Sequence, residues 1–223
     1  MTRCLDIPSI PFMADYFDIH THHPGGDGFR IVNRSSADFV PCPGQWYSVG
    51  IHPWALQQGE VRQEDWENLR EAVNHPQTLA VGEAGLDKLV QVPMEMQEAV
   101  FVRQAEMAEE VGKPLIIHLV KATDGLLRLR KRLAPQVPWI IHGFRGKAQL
   151  AGELLRHGFY LSFGVKFQEE ALRAVPLSRL FIETDESPTS VAEVYERVAV
   201  ARQISCINLC EVVRINVQSV FFH

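Results

Sequence analysis

Pro114-Leu115-Ile116-Ile117-His118 and Pro138-Trp139-Ile140-Ile141-His142 are two apolar runs of the same build, each opened by proline and closed by histidine. Runs this short, rich in Ile and without polar alternation, read as strands buried on both faces, the pattern of a parallel sheet. Working outward, comparable runs recur at Tyr16–His20, Phe29–Asn33, Trp46–Ile51, Thr78–Gly82, Gly158–Phe163 and Arg179–Glu183, which makes eight. Helical patterns fall between most of them, at Glu64–Val73, Met94–Val111, Asp124–Leu133, Lys147–Arg156 and Glu169–Val175, with Asp124 expected as an N-cap. Two more helices, Val191–Gln203 and Asn208–Val217, are expected after Asp185. Eight strands alternating with helices predict an α/β fold, and eight is the number that closes a TIM-type (β/α)8 barrel. Only Thr21–Gly28 separate the first two strands, and the next connection carries Pro41, Pro43 and Gly44. A compact barrel is therefore expected, with its first outer helix or helices shortened or missing. No linker, low-complexity tract or repeat interrupts the pattern, so residues 1–223 read as a single domain.

A chain of 223 residues with 46% hydrophobic residues buries enough apolar surface to need no covalent staple. The net charge of −5 argues against a broad basic face that coats nucleic acid, while permitting a locally basic cleft. Cys4, Cys42, Cys206 and Cys210 form no C-x-x-C pair, and Cys206 and Cys210 read as small side chains one turn apart on a helix. Free thiols suit a reducing compartment. The N-terminal residues, interrupted by Pro8 and Pro11, do not read as a signal peptide, and no apolar run approaches a membrane span. A cytoplasmic location is expected.

The acids and histidines fall where strands end. His20 closes the first strand, and His22, two residues on, points to the same side in extended backbone. Glu83 follows the fourth strand, His118 and His142 close the fifth and sixth, and Asp185 follows the eighth. In a parallel barrel those ends converge on the face where active sites are built. Any one of these residues alone would be a turn residue or a solvated acid. Together His20, His22, Glu83, His118, His142 and Asp185 form a ligand set for divalent metal, with Zn, Mn or Mg as candidates. Four histidines and two carboxylates exceed the needs of one tetrahedral ion; two ions about 3.5–4 Å apart, sharing a carboxylate, would use them all.

At these residues the chain resembles the TatD-type metal-dependent hydrolases, a branch of the amidohydrolase-like barrels. The resemblance rests on Asp18-Ile19-His20-Thr21-His22, Gly50-Ile51-His52-Pro53, Val81-Gly82-Glu83-Ala84-Gly85-Leu86-Asp87, Lys113 through His118, His142-Gly143-Phe144-Arg145-Gly146, Tyr160-Leu161-Ser162-Phe163-Gly164 and Glu183-Thr184-Asp185, with Asn216 near the end. The segments occur in family order from Asp18 onward. The resemblance implies that His20, His22, Glu83 and Asp185 hold one ion, and that Glu83, His118 and His142 hold the other. It also implies a nuclease acting on phosphodiesters of DNA or RNA, often from the 3′ end. The chain departs from the family pattern where an arginine usually follows the fifth-strand histidine by two residues: here Val120 precedes Lys121. It also has Lys88 in place of an aromatic, Arg145 inside Phe144-Arg145-Gly146, and Glu186-Ser187-Pro188 after the last ligand.

Lys88, Lys121, Arg145, Lys147 and Lys166 all lie near strand C-terminal ends, so a basic rim is expected around the metals, suited to a phosphate ester. Lys121, His52, Arg145 and Lys88 are the candidate substrate contacts, although His52 could equally shape a Pro53-anchored turn. His23 is expected to point away from the metals, and His75 and His157 to be structural. His223 is uninformative. The expected chemistry is metal-assisted hydrolysis, with Asp185 as ligand and general base and Glu83 bridging the ions. The alternatives are hydrolysis of a small phosphate ester, a cyclic amide or a lactone at the same centre, and a metal-binding scaffold without catalysis. The oligomeric state is open.

Overall fold

The computed structural model describes residues 15–26 and 28–222; Cys4 and His223 lie outside them. Eight parallel strands follow one another in chain order around a single sheet. They are β1 (Phe17–Thr21), β2 (Phe29–Ser35), β3 (Trp46–Gly50), β4 (Thr78–Asp87), β5 (Leu115–Val120), β6 (Trp139–Ile141), β7 (Tyr160–Phe163) and β8 (Leu180–Ile182). The last strand is laced back to the first. Thr21 and Asp185 form a parallel bridge, the Asp185 N–H donates to the His20 carbonyl at 2.9 Å, and the His22 N–H donates to the Asp185 carbonyl at 3.0 Å. This is the TIM-type barrel that the apolar runs predict, with every strand's C-terminal end on one face.

Among the described residues seven α-helices cover it: α1 (Gln63–Asn74), α2 (Met94–Val111), α3 (Thr123–Leu133), α4 (Ala148–Arg156), α5 (Glu169–Ala174), α6 (Val191–Arg202) and α7 (Cys206–Phe221). Among the described residues no helix lies between β1 and β2 or between β2 and β3, so the barrel is trimmed on that side; a 3-10 segment, Pro53–Gln58, follows β3 instead. The end of α7 compensates in part. The Phe222 ring packs edge-on against Phe29 and Trp46, the first residues of β2 and β3, and Phe221 packs against Phe181 of β8. Buried Asn216 fixes that helix by donating to the Leu177 and Leu180 carbonyls at 2.7 and 2.9 Å. Large rings such as Phe101, Trp139, Phe159 and Phe163 are fully buried, each contributing about 1.5–3 kcal/mol over exposure.

Several boundaries differ from the sequence expectation: His118 does not close β5, which runs on to Val120, while His142 falls just after β6, and three further differences have a visible physical cause. The fourth strand does not stop at Gly82 but runs to Asp87, because β5 continues to pair with it, Gly85 opposite His118 and Asp87 opposite Val120. A Cβ at Gly85 would run into the His118 carbonyl oxygen, so glycine is what lets the two strands stay this close. Asp124 is not an N-cap: α3 begins one residue earlier, with Ala122 at the cap and no side-chain cap bond, which leaves Asp124 in the first turn where a carboxylate favours the helix dipole. The final helix starts at Cys206, capped by Ser205 whose hydroxyl accepts from the Asn208 N–H. Cys42, Cys206 and Cys210 are free, and among the described residues no helix is long and apolar enough to cross a membrane.

Candidate metal centre

Glu83 lies at the middle of the C-terminal face with only 5% of its surface exposed. Its two carboxylate oxygens face different partners. Oε1 is 2.7 Å from His142 Nε2, 2.8 Å from His118 Nδ1 and 3.2 Å from His52 Nε2. Oε2 is 3.4 Å from His20 Nε2 and 3.7 Å from His22 Nε2. Asp185 Oδ1 sits 3.7 Å from the same two nitrogens of His20 and His22. All six residues that the strand ends singled out are thus brought together. Glu83 lies within a strand rather than after one, held by its backbone N–H donating to Asn33 Oδ1 of β2 at 2.9 Å.

Burial opposes ionisation of Glu83, but the charge on His142 and hydrogen bonds from His118 and His142 outweigh it and hold its carboxyl well below the usual range. Burial likewise opposes a charged His142, yet the Glu83 and Glu183 carboxylates keep it protonated well above the usual imidazole value. The Glu83 carboxylate raises His22 in the same way. These are protons that a divalent ion would displace. The donor set fits such ions on a second ground. Neither ring nitrogen of fully buried His20 makes a hydrogen bond, Nε2 lying 3.4 Å from Glu83 Oε2, a state that costs about 1–3 kcal/mol per group unless something binds there. Ligand atoms of His20, Glu83 and His142, and those of His20, His22 and Asp185, lie within 4.8 Å of one another.

The supporting groups were not singled out in the sequence. Asp87 Oδ2 is 3.3 Å from His118 Nε2 and accepts from Trp54 Nε1 at 2.8 Å. Glu183 Oε1 is 3.5 Å from His142 Nδ1 and accepts from the Gly143 N–H at 2.6 Å. A carboxylate behind each ring orients it and selects which nitrogen faces Glu83. Asp18, pushed up to about 7 by its burial, accepts from the Thr184 N–H at 3.0 Å and from its hydroxyl at 2.6 Å, which seats the neighbouring Asp185. Two buried glutamines of α2 clamp the strand ends beside the site. Gln104 bonds the Ile51 N–H and carbonyl at 2.7 and 3.0 Å, and Gln97 bonds those of Asp87 at 2.8 and 3.0 Å. Asp87 and Glu183 belong to the quoted motifs, which was a usable signal; Asn33, Gln97 and Gln104 carried none.

The candidate substrate contacts are placed unevenly. His52 Nδ1 accepts from the Trp54 N–H at 3.1 Å, so its Nε2 carries the proton and acts as a donor toward Glu83 rather than as a ligand. That arrangement also caps the 3-10 segment, so His52 shapes the Pro53 turn and faces the centre at once. Arg145, 59% exposed, reaches to 4.0 Å from Asp185 Oδ2. Lys88 and Lys121 are exposed at the ends of β4 and β5, as are Lys147, which caps α4, and Lys166 after β7. Lys121 has a left-handed backbone, φ 51°. His23 points outward to the Glu186 carbonyl, His75 caps the C-terminal end of α1, and His157 that of α4. A cavity of about 690 Å³ opens beside the centre, on the side without outer helices, with Asn33, Arg34, His52 and Glu83 in its wall.

A closed parallel barrel with imidazoles and carboxylates converging at its C-terminal face is the build of a metal-dependent hydrolase. Residues 41–222 match the profile of the family described as TatD related DNase. The chain is 30% identical to the uncharacterized metal-dependent hydrolase YabD of Bacillus subtilis, over 78% of its own length and 76% of that protein's. It is 35% identical, over 63% of its length, to the human 3'-5' RNA nuclease TATDN2, of which the match spans 20%. The crystal structure of the TatD homologue YJJV from Escherichia coli superposes with a TM-score of 0.80 at 22% identity, covering 93% of this chain and 98% of that one; that likeness bears on the fold. The chain belongs to the TatD related DNase family and is a hydrolase of that family.

Proposed function

We propose that this hydrolase cleaves phosphodiester bonds of nucleic acid, trimming single strands from the 3′ end with two divalent ions, Zn, Mn or Mg. The observation that carries the reading is the division of Glu83: Oε2 toward His20 and His22, and Oε1 toward His118 and His142. In this reading His20, His22, Asp185 and Glu83 would hold one ion, and His118, His142 and Glu83 would hold the other. When bound, such ions supply an acidified water and neutralise charge on the phosphoryl group. The chain's own residues do the rest. Asp185 takes the proton from the attacking water. Glu83 fixes the spacing of the two ligand groups. His52 offers its Nε2–H to a substrate oxygen, and Arg145 and Lys121, with Lys88 farther out, draw the phosphate in. The nuclease named among the relatives supports this substrate class. The proposal takes residues 1–223 as one domain, and it takes the setting as cytoplasmic, in keeping with three unbridged cysteines.

End-labelled single-stranded DNA incubated with the protein and Mn or Mg is expected to shorten from the 3′ end, and a chelator should stop it. No shortening by protein that carries bound metal, together with turnover of a small phosphate ester or cyclic amide, would sink the nuclease reading. For the rim, Lys121→Ala and Arg145→Ala are each expected to raise KM severalfold and to lower the slope of log affinity against log salt by about 0.7, the value for one lost phosphate contact on a single strand. An unchanged slope and KM would remove that residue from substrate binding.

A further inference from the structure

We propose that Trp54 is a stacking platform for a nucleobase flanking the scissile phosphate; this rests on the nuclease reading above. Trp46, Trp66 and Trp139 are buried, whereas Trp54, in the 3-10 segment after β3, is 52% exposed, an unusual position for an indole. It is nonetheless held. Its Nε1–H donates to Asp87 Oδ2 at 2.8 Å, and its backbone N–H donates to His52 Nδ1 at 3.1 Å. Its ring meets His52 edge-on at 5.1 Å between centroids and stands 6.1 Å from His118. Both histidines face Glu83 Oε1. A rigid indole therefore flanks the reaction centre, its polar edge tied down and half its surface free. That is the arrangement by which single-stranded nucleic acid is held without sequence preference, because every base offers a π-face. Lys88 and Lys121, exposed at the neighbouring strand ends, supply charge for the backbone of the same strand. Asp87, which accepts from Trp54 and lies 3.3 Å from His118 Nε2, links the platform to the centre, so a base seated on Trp54 is positioned relative to the reacting phosphate.

The test compares three forms of the metal-loaded enzyme (wild type, Trp54→Ala and Trp54→Phe) on oligonucleotides with a normal 3′ end and with one abasic residue at the terminal or the penultimate position. Wild type is expected to lose about tenfold in kcat/KM on one of the two abasic substrates. Trp54→Ala should show the same loss, mainly in KM, on the normal end and be indifferent to the missing base; Trp54→Phe, which keeps an aromatic face but not the bond to Asp87, should still discriminate. Equal discrimination by wild type and Trp54→Ala would overturn the platform while leaving the nuclease intact. A fluorescence titration decides the matter if no oligonucleotide is cut. Thymidine 5′-monophosphate should quench the exposed indole of the wild type and inorganic phosphate should not, and Trp54→Phe should abolish the effect. Quenching then supports a base platform even as the nuclease reading falls. No quenching, or equal quenching by phosphate, overturns it.

Discussion

Glu83→Ala is expected to lower kcat/KM on single-stranded DNA by on the order of 10³-fold or more, a loss at least as large as that from removing one preorganised electrostatic contact. The reason is its central position. Among the described residues it is the one side chain within 3.7 Å of His20, His22, His52, His118 and His142 together. Without it, both groups of imidazoles lose their shared anion, and a buried His142 no longer has the carboxylate that most strongly favours its charge. Metal content measured on the purified variant should fall along with activity, while circular dichroism stays that of a barrel, since none of the strand pairing depends on this carboxylate. Full activity with full metal content would contradict the bridging role, and with it the two-ion reading. Loss of a peripheral donor, for instance by His22→Ala at a residue already one-third exposed, should cost less.

Asp185→Asn is the second large effect, and it separates binding from proton transfer. Asp185 has a left-handed backbone, φ 58°, a conformation asparagine tolerates as well as aspartate does. The substitution therefore keeps the backbone lacing to His20 and His22, and keeps an oxygen facing the rings. It removes the proton acceptor. A kcat lower by about 10²–10⁴-fold with KM little changed is expected, the range for a positioned general base. Partial rescue as pH rises, when hydroxide replaces the missing base, would fit that role. If kcat were unchanged and only metal affinity fell, Asp185 would be a ligand alone.

The fold and the six central residues were legible in the sequence for the same reason. Strands buried on both faces leave little choice but Ile, Leu, Val and aromatics, so a histidine closing Leu115-Ile116-Ile117 stands out. What holds those residues was not legible. Gln104 and Gln97 sit within an amphipathic helix, where glutamine ordinarily faces water, yet both are buried and bonded to strand ends, Gln104 across 53 residues. Only the register of α2 on the barrel decides that, and register is a tertiary property. The same holds for Asn33, whose amide reads as an ordinary strand-end residue until Glu83 is beside it. Beyond Gly82 the fourth strand passes through Glu83, Gly85 and Asp87, residue types that strands disfavour, and pairing with β5 overrides their preference. Nothing in the sequence marks Trp54, since an aromatic after a proline resembles loop packing; its hydrogen bond to Asp87 is visible only in the fold.

The lacing of β1 to β8 bears on how the molecule comes into being. His20 and His22 stand at one end of the strand sequence and Asp185 at the other, and they meet only through the Thr21–Asp185 bridge and its flanking bonds. A chain emerging from the ribosome can pair β1 with β2 and β2 with β3 as each appears, since these contacts are between successive strands. It cannot assemble the His20–Asp185 half of the centre until Asp185 has been made, nor cover Phe29 and Trp46 before Phe222 has. Such long-range closure comes late in folding. A nascent barrel therefore lacks the His20–Asp185 half of its candidate metal centre until the ring is shut.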